Sequence, residues 1–179
     1  MKILKRILFV VLAIIGLALI TALFVKQDMH AEREVVINKP KAEVFSYIKS
    51  LKNQNNYSKW GTVDPDMKKE FRGTDGTVGF VSAWHSNKGE VGKGEQEIKA
   101  IKEGERIDYE LRFMEPMESK ASAYMITEAV SENQTKVKWG FNGKMNYPLN
   151  LFILFVDMDK KLGDDFATGL TRLKAQVEK

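Results

Sequence analysis

The sequence predicts an α+β domain in which a curved, seven-stranded antiparallel sheet wraps a long C-terminal helix, with one transmembrane helix ahead of it. Three observations carry this. Ile7 to Val25 is an unbroken apolar run without a charge. The middle of the chain alternates apolar and polar residues with a period of two, which is the signature of half-buried strands. The last part, Leu149 to about Val177, repeats apolar residues at intervals of three and four, as an amphipathic helix does.

At about 1.5 Å per residue, a helix over residues 7–25 is just long enough to cross a hydrocarbon core of roughly 30 Å. Lys2, Lys5 and Arg6 precede the run and Lys26 follows it. A cleaved secretory signal is the competing reading, but its apolar region is usually about 7–15 residues and ends at a small-x-small site. The available cuts, after Ala22 with Ile20 behind it or after Ala31 with Met29 behind it, fit that rule poorly. The run therefore reads as an uncleaved anchor, residues 1–26, joined to a ligand-binding domain, residues 27–179. The basic flank before the helix outweighs Lys26 after it, which predicts a single-pass topology with the domain outside the cytoplasm.

The chain has 28 Lys plus Arg against 24 Asp plus Glu; without Lys2, Lys5 and Arg6 the remainder stands at 25 against 24. The basic isoelectric point near 9.1 is thus mostly an anchor effect. No basic stripe with aromatic or motif context accompanies it, so nucleic acid is excluded as a partner. The absence of cysteine removes disulfides and thiolate chemistry.

Within the domain, Glu32–Ile37 reads as a short strand. Asn38 is the expected cap of a helix with Pro40 in its first turn, and Val44, Phe45 and Ile48 recur at helical spacing. A second short helix is expected around Leu51–Trp60. Six strands follow, over residues 67–72, 79–86, 93–102, 105–114, 120–130 and 136–142. Turn sequences such as Thr74-Asp75-Gly76, Asn87-Lys88-Gly89, Glu103-Gly104 and Glu132-Asn133 separate them. Ile107, Tyr109, Leu111 and Phe113 alternate with charged residues, as do Val137, Trp139 and Phe141 with polar ones, so these strands have one wet face.

In this order the chain resembles a known family. The carriers are Val36-Ile37 with Pro40, Val44-Phe45 and Trp60; Asp64-Pro65 with Met67; Phe71 with Gly73 and Gly79; and Gly92, Gly94-Glu95 and Ile98. Arg106, Tyr109, Phe113 and Pro116 continue the pattern, followed by Thr135, Val137 and Trp139 and by Leu162-Gly163, Phe166, Gly169-Leu170 and Leu173-Lys174. These resemble the helix-grip superfamily, also called Bet v 1-like, START-like or SRPBCC, and within it the bacterial polyketide cyclase and dehydrase group, over about residues 32–179. The resemblance implies a deep, mostly apolar cavity between sheet and long helix that takes lipids, polyketides or other hydrophobic molecules. It does not imply catalysis, because the fold hosts carriers and enzymes alike.

The polar candidates each have a plain reading. His85 neighbours Trp84, and if Trp84 faces inward His85 faces water; His30 is the other histidine, so no His-rich metal site is available. Gly89-Glu90-Val91-Gly92-Lys93-Gly94 lacks the spacing of a phosphate loop and precedes a strand, which makes these turn and bulge glycines. Glu95, Glu97, Asp108 and Glu110 read as the solvated face of adjacent strands. No catalytic residue, metal or cofactor is assigned.

The expected ligand-binding residues are the aromatics Trp60, Trp84, Tyr109, Phe113, Tyr124, Trp139, Phe141, Phe155 and Phe166, with core packing as the competing role for each. The tryptophans lead, since an indole packs a hydrophobic ligand while its N–H anchors a polar end. The expected function is therefore a membrane-anchored domain that binds a hydrophobic small molecule, a lipid or envelope metabolite, without chemistry. The alternatives are a cyclase- or dehydratase-type enzyme and a protein-interaction module. Leu149–Val156 is too short to span a bilayer yet more apolar than one buried stripe requires; it is either packed between sheet and helix or a lid near the bilayer.

Overall fold

The computed structural model describes residues 2–89 and 91–179. The apolar run forms α1, Lys2–Ala22, whose side chains are exposed along almost its whole length. It is long and apolar enough to cross a membrane. Then come β1 (Asp28–Ile37) and α2 (Lys41–Lys49). A 3-10 turn over Leu51–Asn53, the short α3 (Gln54–Tyr57) and a second 3-10 turn at Trp60–Thr62 make the link to the remaining strands. These are β2 (Lys68–Arg72), β3 (Val81–His85), β4 (Lys93–Lys102), β5 (Arg106–Glu115), β6 (Ser119–Ser131) and β7 (Gln134–Lys144). A 3-10 segment, Leu149–Leu154, leads into α4 (Met158–Val177).

The seven strands form one antiparallel sheet in the order β1-β7-β6-β5-β4-β3-β2. This is the helix-grip architecture: the concave face holds α4 and α2. Its alternation explains the core, because Ile37, Ile98, Ile107, Met125 and Val137 all point to that face and are fully buried against Val44 and Ile48 of α2 and Leu170 and Leu173 of α4. Burial of such a side chain contributes about 1.5–3 kcal/mol each before the entropy cost of ordering it.

Three local expectations are corrected. β1 begins at Asp28 and not at Glu32, because every residue from Asp28 to Ile37 finds a partner on β7, from Lys144 back to Thr135. The cap of α2 is Pro40, not Asn38; the Asn38 backbone N–H donates to Glu178 and its side chain accepts from Gln134 at 2.9 Å, tying β1 to the end of α4. The last helix does not start at Leu149. Asp157 caps α4 by accepting from the Lys160 N–H at 2.9 Å, and this breaks the apolar octet off as a separate 3-10 segment.

The convex face carries a charge cluster. The Arg112 guanidinium on β5 binds Glu95 at 2.7 Å and Glu97 at 2.7 Å on β4 and also Glu110, while Arg72 binds Glu95 from β2. The Arg72 and Arg112 hydrogen bonds hold Glu95 below its ordinary carboxylate pKa, and those from Arg112 and Lys99 do the same for Glu97. A depressed folded-state pKa contributes stability above the unfolded value and loses it as pH falls through the folded one. Arg112→Met is therefore expected to destabilise the protein at pH 7 by leaving three carboxylates side by side. The wild-type advantage from Glu95 and Glu97 is fully present above the ordinary carboxylate value of 4.5 and is lost as pH falls from there through their lowered values, so the gap between wild-type and variant urea midpoints should narrow below about pH 4.5. A gap that stays constant through that range would show that Arg112 does not act through these carboxylates.

Candidate ligand cavity

Between the concave face and α4 lies a cavity of about 230 Å³. Strand alternation builds one wall: Phe141 on β7, Ala123 on β6, Leu111 and Phe113 on β5, Gln96 on β4 and Trp84 on β3. Leu162 and Phe166 of α4 face them, and Ser58, Trp60 and Gly61 of the α3 region close the side. That region is pinned to α4: Lys59 pairs with Asp165, and Arg172 donates to the Thr62 hydroxyl at 2.9 Å.

An aromatic group forms the floor. Trp139 stacks on Phe166 at 4.9 Å and meets Tyr57 and Trp60 edge-on at 5.7 and 6.3 Å. Gly169 of α4 admits it, since a Cβ there would lie 2.8 Å from the indole. Trp84 packs edge-on against Phe113 at 6.1 Å and donates its indole N–H to the Val91 carbonyl at 3.3 Å. Gly94 lies below that indole, where a Cβ would come within 2.6 Å of the ring and 2.7 Å of the Arg112 carbonyl. The register shift at Lys93/Gly94 and the positive φ of Gly92 make these turn and bulge glycines; Glu90, within the same stretch, lies outside the described residues.

Of the nine aromatics expected in the site, the structure brings Trp60, Trp84, Phe113, Trp139, Phe141 and Phe166 to one cavity. Three are elsewhere. Tyr109 is in the plain core, 2 % exposed, where burial pushes its hydroxyl pKa up. Tyr124 is corrected to the opposite face: β6 turns Ala123 and Met125 inward, so Tyr124 lies outside against Gly140. There its hydroxyl donates to Glu32, the Arg106 guanidinium sits 4.4 Å from its ring, and burial and Glu32 push its pKa up to about 12. Phe155 lies in the break before α4 and is 83 % exposed, because the helix that would have turned it inward starts only at Met158.

Polar groups are few and placed. Gln96 is 8 % exposed and lines the cavity, and its carboxamide makes no hydrogen bond to another described residue. Ser58 and Ser82 add hydroxyl-bearing side chains to the wall. At the rim Lys69 donates to the Gly61 carbonyl at 3.1 Å, bridging β2 and the 3-10 turn. Gln96 was not among the expected residues, although its position supplied a signal: it shares the phase of Gly94 and Ile98 and not that of Glu95 and Glu97. His85 is exposed at the end of β3. Among the described residues no group of three or more His, Asp or Glu is arranged to hold a metal.

Residues 28–178 match the family model described as Polyketide cyclase / dehydrase and lipid transport. No curated protein matches the chain. Similar solved structures include norcoclaurine synthase from Thalictrum flavum in complex with dopamine and hydroxybenzaldehyde, at a TM-score of 0.61 and 9 % identity, covering 86 % of this chain and 90 % of that one. Ara h 8.0201 is similar at 0.57 and 19 %, covering 84 % and 97 %. The Aha1 dimer from Colwellia psychrerythraea is similar at 0.56 and 14 %, covering 84 % and 96 %. At such identities the likeness establishes the Bet v 1-like fold alone.

Proposed function

The chain belongs to the polyketide cyclase / dehydrase and lipid transport family, and from that premise we propose that it is a membrane-anchored protein that binds a small hydrophobic molecule between its sheet and α4. The observation that carries this reading is a mostly apolar cavity between sheet and α4 with a few polar side chains on its wall, among them Gln96, which makes no hydrogen bond to another described residue. Apolar walls supply affinity, and a few placed polar groups fix orientation.

The volume limits the ligand. An engineered cavity of about 150 Å³ takes up benzene, so about 230 Å³ suits a molecule of one or two rings or a short acyl chain. A complete phospholipid exceeds it. Gln96 offers both a donor and an acceptor, which favours a carbonyl or hydroxyl on the ligand.

The wall chemistry favours holding over converting. Its titratable group is Lys69, exposed at the rim with its ammonium donating to Gly61, whereas general acid–base work calls for a group positioned at the reacting atom with a tuned pKa. The membrane-anchor part of the proposal is supported by α1, and the extracytoplasmic placement by the basic residues ahead of it.

Native mass spectrometry of the full chain released from detergent micelles tests the reading. The expected result is a retained small molecule of one or two rings or a short chain, exchangeable for an apolar fluorescent dye. Protein that repeatedly carries nothing and takes up no dye would overturn it.

A further inference from the structure

The cavity reaches from the middle of the sheet to the end at which the chain enters it from α1, and this follows from the strand register. Trp84 pairs with Gly94, Gly94 with Phe113, and Phe113 with Ser119. Two residues on, Ala121 pairs with Gly143, whose partner on the other side is Met29, at the start of β1. The rim residues Met67 and Lys69, together with Val91 and Phe113, are thus at the same end as the link to α1.

That end is also where the domain exposes large apolar side chains. Met117, in the β5–β6 turn, is 56 % exposed, and Phe152, Leu154 and Phe155, between β7 and α4, are 59 %, 57 % and 83 % exposed. Val78 and Val130 are exposed at the far end, and Phe71 on β2 is 40 % exposed. Scattered apolar residues need no explanation, whereas a group on one edge marks a contact surface.

The 3-10 segment carrying Phe152 and Leu154 is fastened to the anchor. Asn150, fully buried, donates from its side-chain amide to the Ala22 carbonyl at 2.7 Å and the Val25 carbonyl at 2.9 Å, satisfying acceptors that the end of α1 leaves open. The apolar edge is therefore continuous with the end of the apolar helix and does not depend on a flexible linker for its position.

We propose that this edge is a second membrane-contact surface. Met117, Phe152, Leu154 and Phe155 rest in the headgroup region of the bilayer in which α1 is embedded, and the cavity exchanges its ligand directly with that bilayer. The proposal rests on the binding reading above and narrows the ligand class to small neutral molecules dissolved in the membrane. Interfacial burial of such side chains scales with their apolar area and requires no deep insertion.

The natural absence of cysteine makes the test clean. The full-length variants Met117→Cys, Phe155→Cys and Val130→Cys, each labelled with an environment-sensitive fluorophore, are reconstituted into phosphatidylcholine–phosphatidylglycerol vesicles carrying nitroxide lipids. Labels at 117 and 155 are expected to show blue-shifted emission, quenching by the nitroxide lipids and shielding from aqueous iodide, with none of these at 130. Equal iodide access at all three sites would overturn the surface. In a second arm, Met117→Asp/Phe155→Asp is expected to bind N-phenyl-1-naphthylamine as wild type does in detergent micelles but to take it up more slowly from vesicles. Unchanged uptake from vesicles would overturn the exchange route. Wild type that binds no dye in micelles would instead overturn the binding reading on which the ligand half depends, whereas the label quenching judges the surface independently.

Discussion

Trp139→Ala is expected to lower the unfolding free energy by about 3–5 kcal/mol, the range for truncating a large buried aromatic that leaves a cavity behind. The indole is 3 % exposed and touches four structural units: Phe166 and Gly169 of α4, Tyr57 of α3, Trp60 of the 3-10 turn and its own strand β7. Relaxation around the gap is poor, because α4 is held by capping and by ion pairs, including Arg33 with Asp159 at 3.0 Å. Trp139 also lines the ligand cavity, so the new void merges with it. Loss of stability should therefore come with loss of selectivity: an apolar dye should still enter but bind more weakly. Chemical denaturation paired with dye titration reads both. A variant as stable as wild type would mean that the indole is not the keystone of this packing.

Trp139 also illustrates what the sequence makes legible. It sits in a strand where every second residue is apolar, so its face follows from β7 alone, and Phe141 and Val137 follow with it. The strand boundaries of β4 to β7 are similarly readable, because each has a dry face and a wet one. Tyr124 defeats the same logic. On β6 both phases contain apolar residues, Ala123 and Met125 in one, Tyr124 and Ile126 in the other. Residue size then suggests that the tyrosine faces in. The register decides otherwise: Ala123 opposes Phe141 on the inner face, and Tyr124 opposes Gly140 on the outer, where Glu32 and Arg106 supply the polar partners its hydroxyl and ring require.

Phe155 fails for a different reason. Periodicity across Leu149–Val177 is continuous enough to hide a break, and the information that resolves it is one side-chain hydrogen bond from Asp157, which a hydrophobic pattern does not encode. Fastening of Leu149–Leu154 to α1 through Asn150 joins positions more than a hundred residues apart. It was equally invisible to a local reading. The cavity itself was legible only through family resemblance, since a volume between elements depends on how far α4 stands from the sheet and not on any run of residues.

Gln96→Leu is expected to weaken the binding of a hydrogen-bonding ligand while leaving the stability of the ligand-free protein nearly unchanged. The Gln96 amide makes no hydrogen bond to another described residue for leucine to remove, and its atoms are not sealed from solvent, since Asn150 Oδ1 is the buried side-chain polar atom without a partner among the described residues. The residue is 8 % exposed on the concave face between Gly94 and Ile98, on the cavity wall. Leucine there removes the polar group while keeping most of the volume, so the unfolding free energy of the ligand-free protein, read from the urea midpoint, should stay within about 0.5 kcal/mol of wild type. A ligand that hydrogen-bonds the carboxamide should lose about 1–2 kcal/mol of affinity, roughly a factor of ten for each 1.4 kcal/mol. Purely apolar dyes provide the internal control, since they make no use of the amide and should bind the variant at least as well. If Gln96→Leu destabilised the fold and weakened the apolar dye equally, the residue would be a packing element, and the polar anchor of the site would have to be sought among the Ser58 and Ser82 hydroxyls or the tryptophan N–H groups.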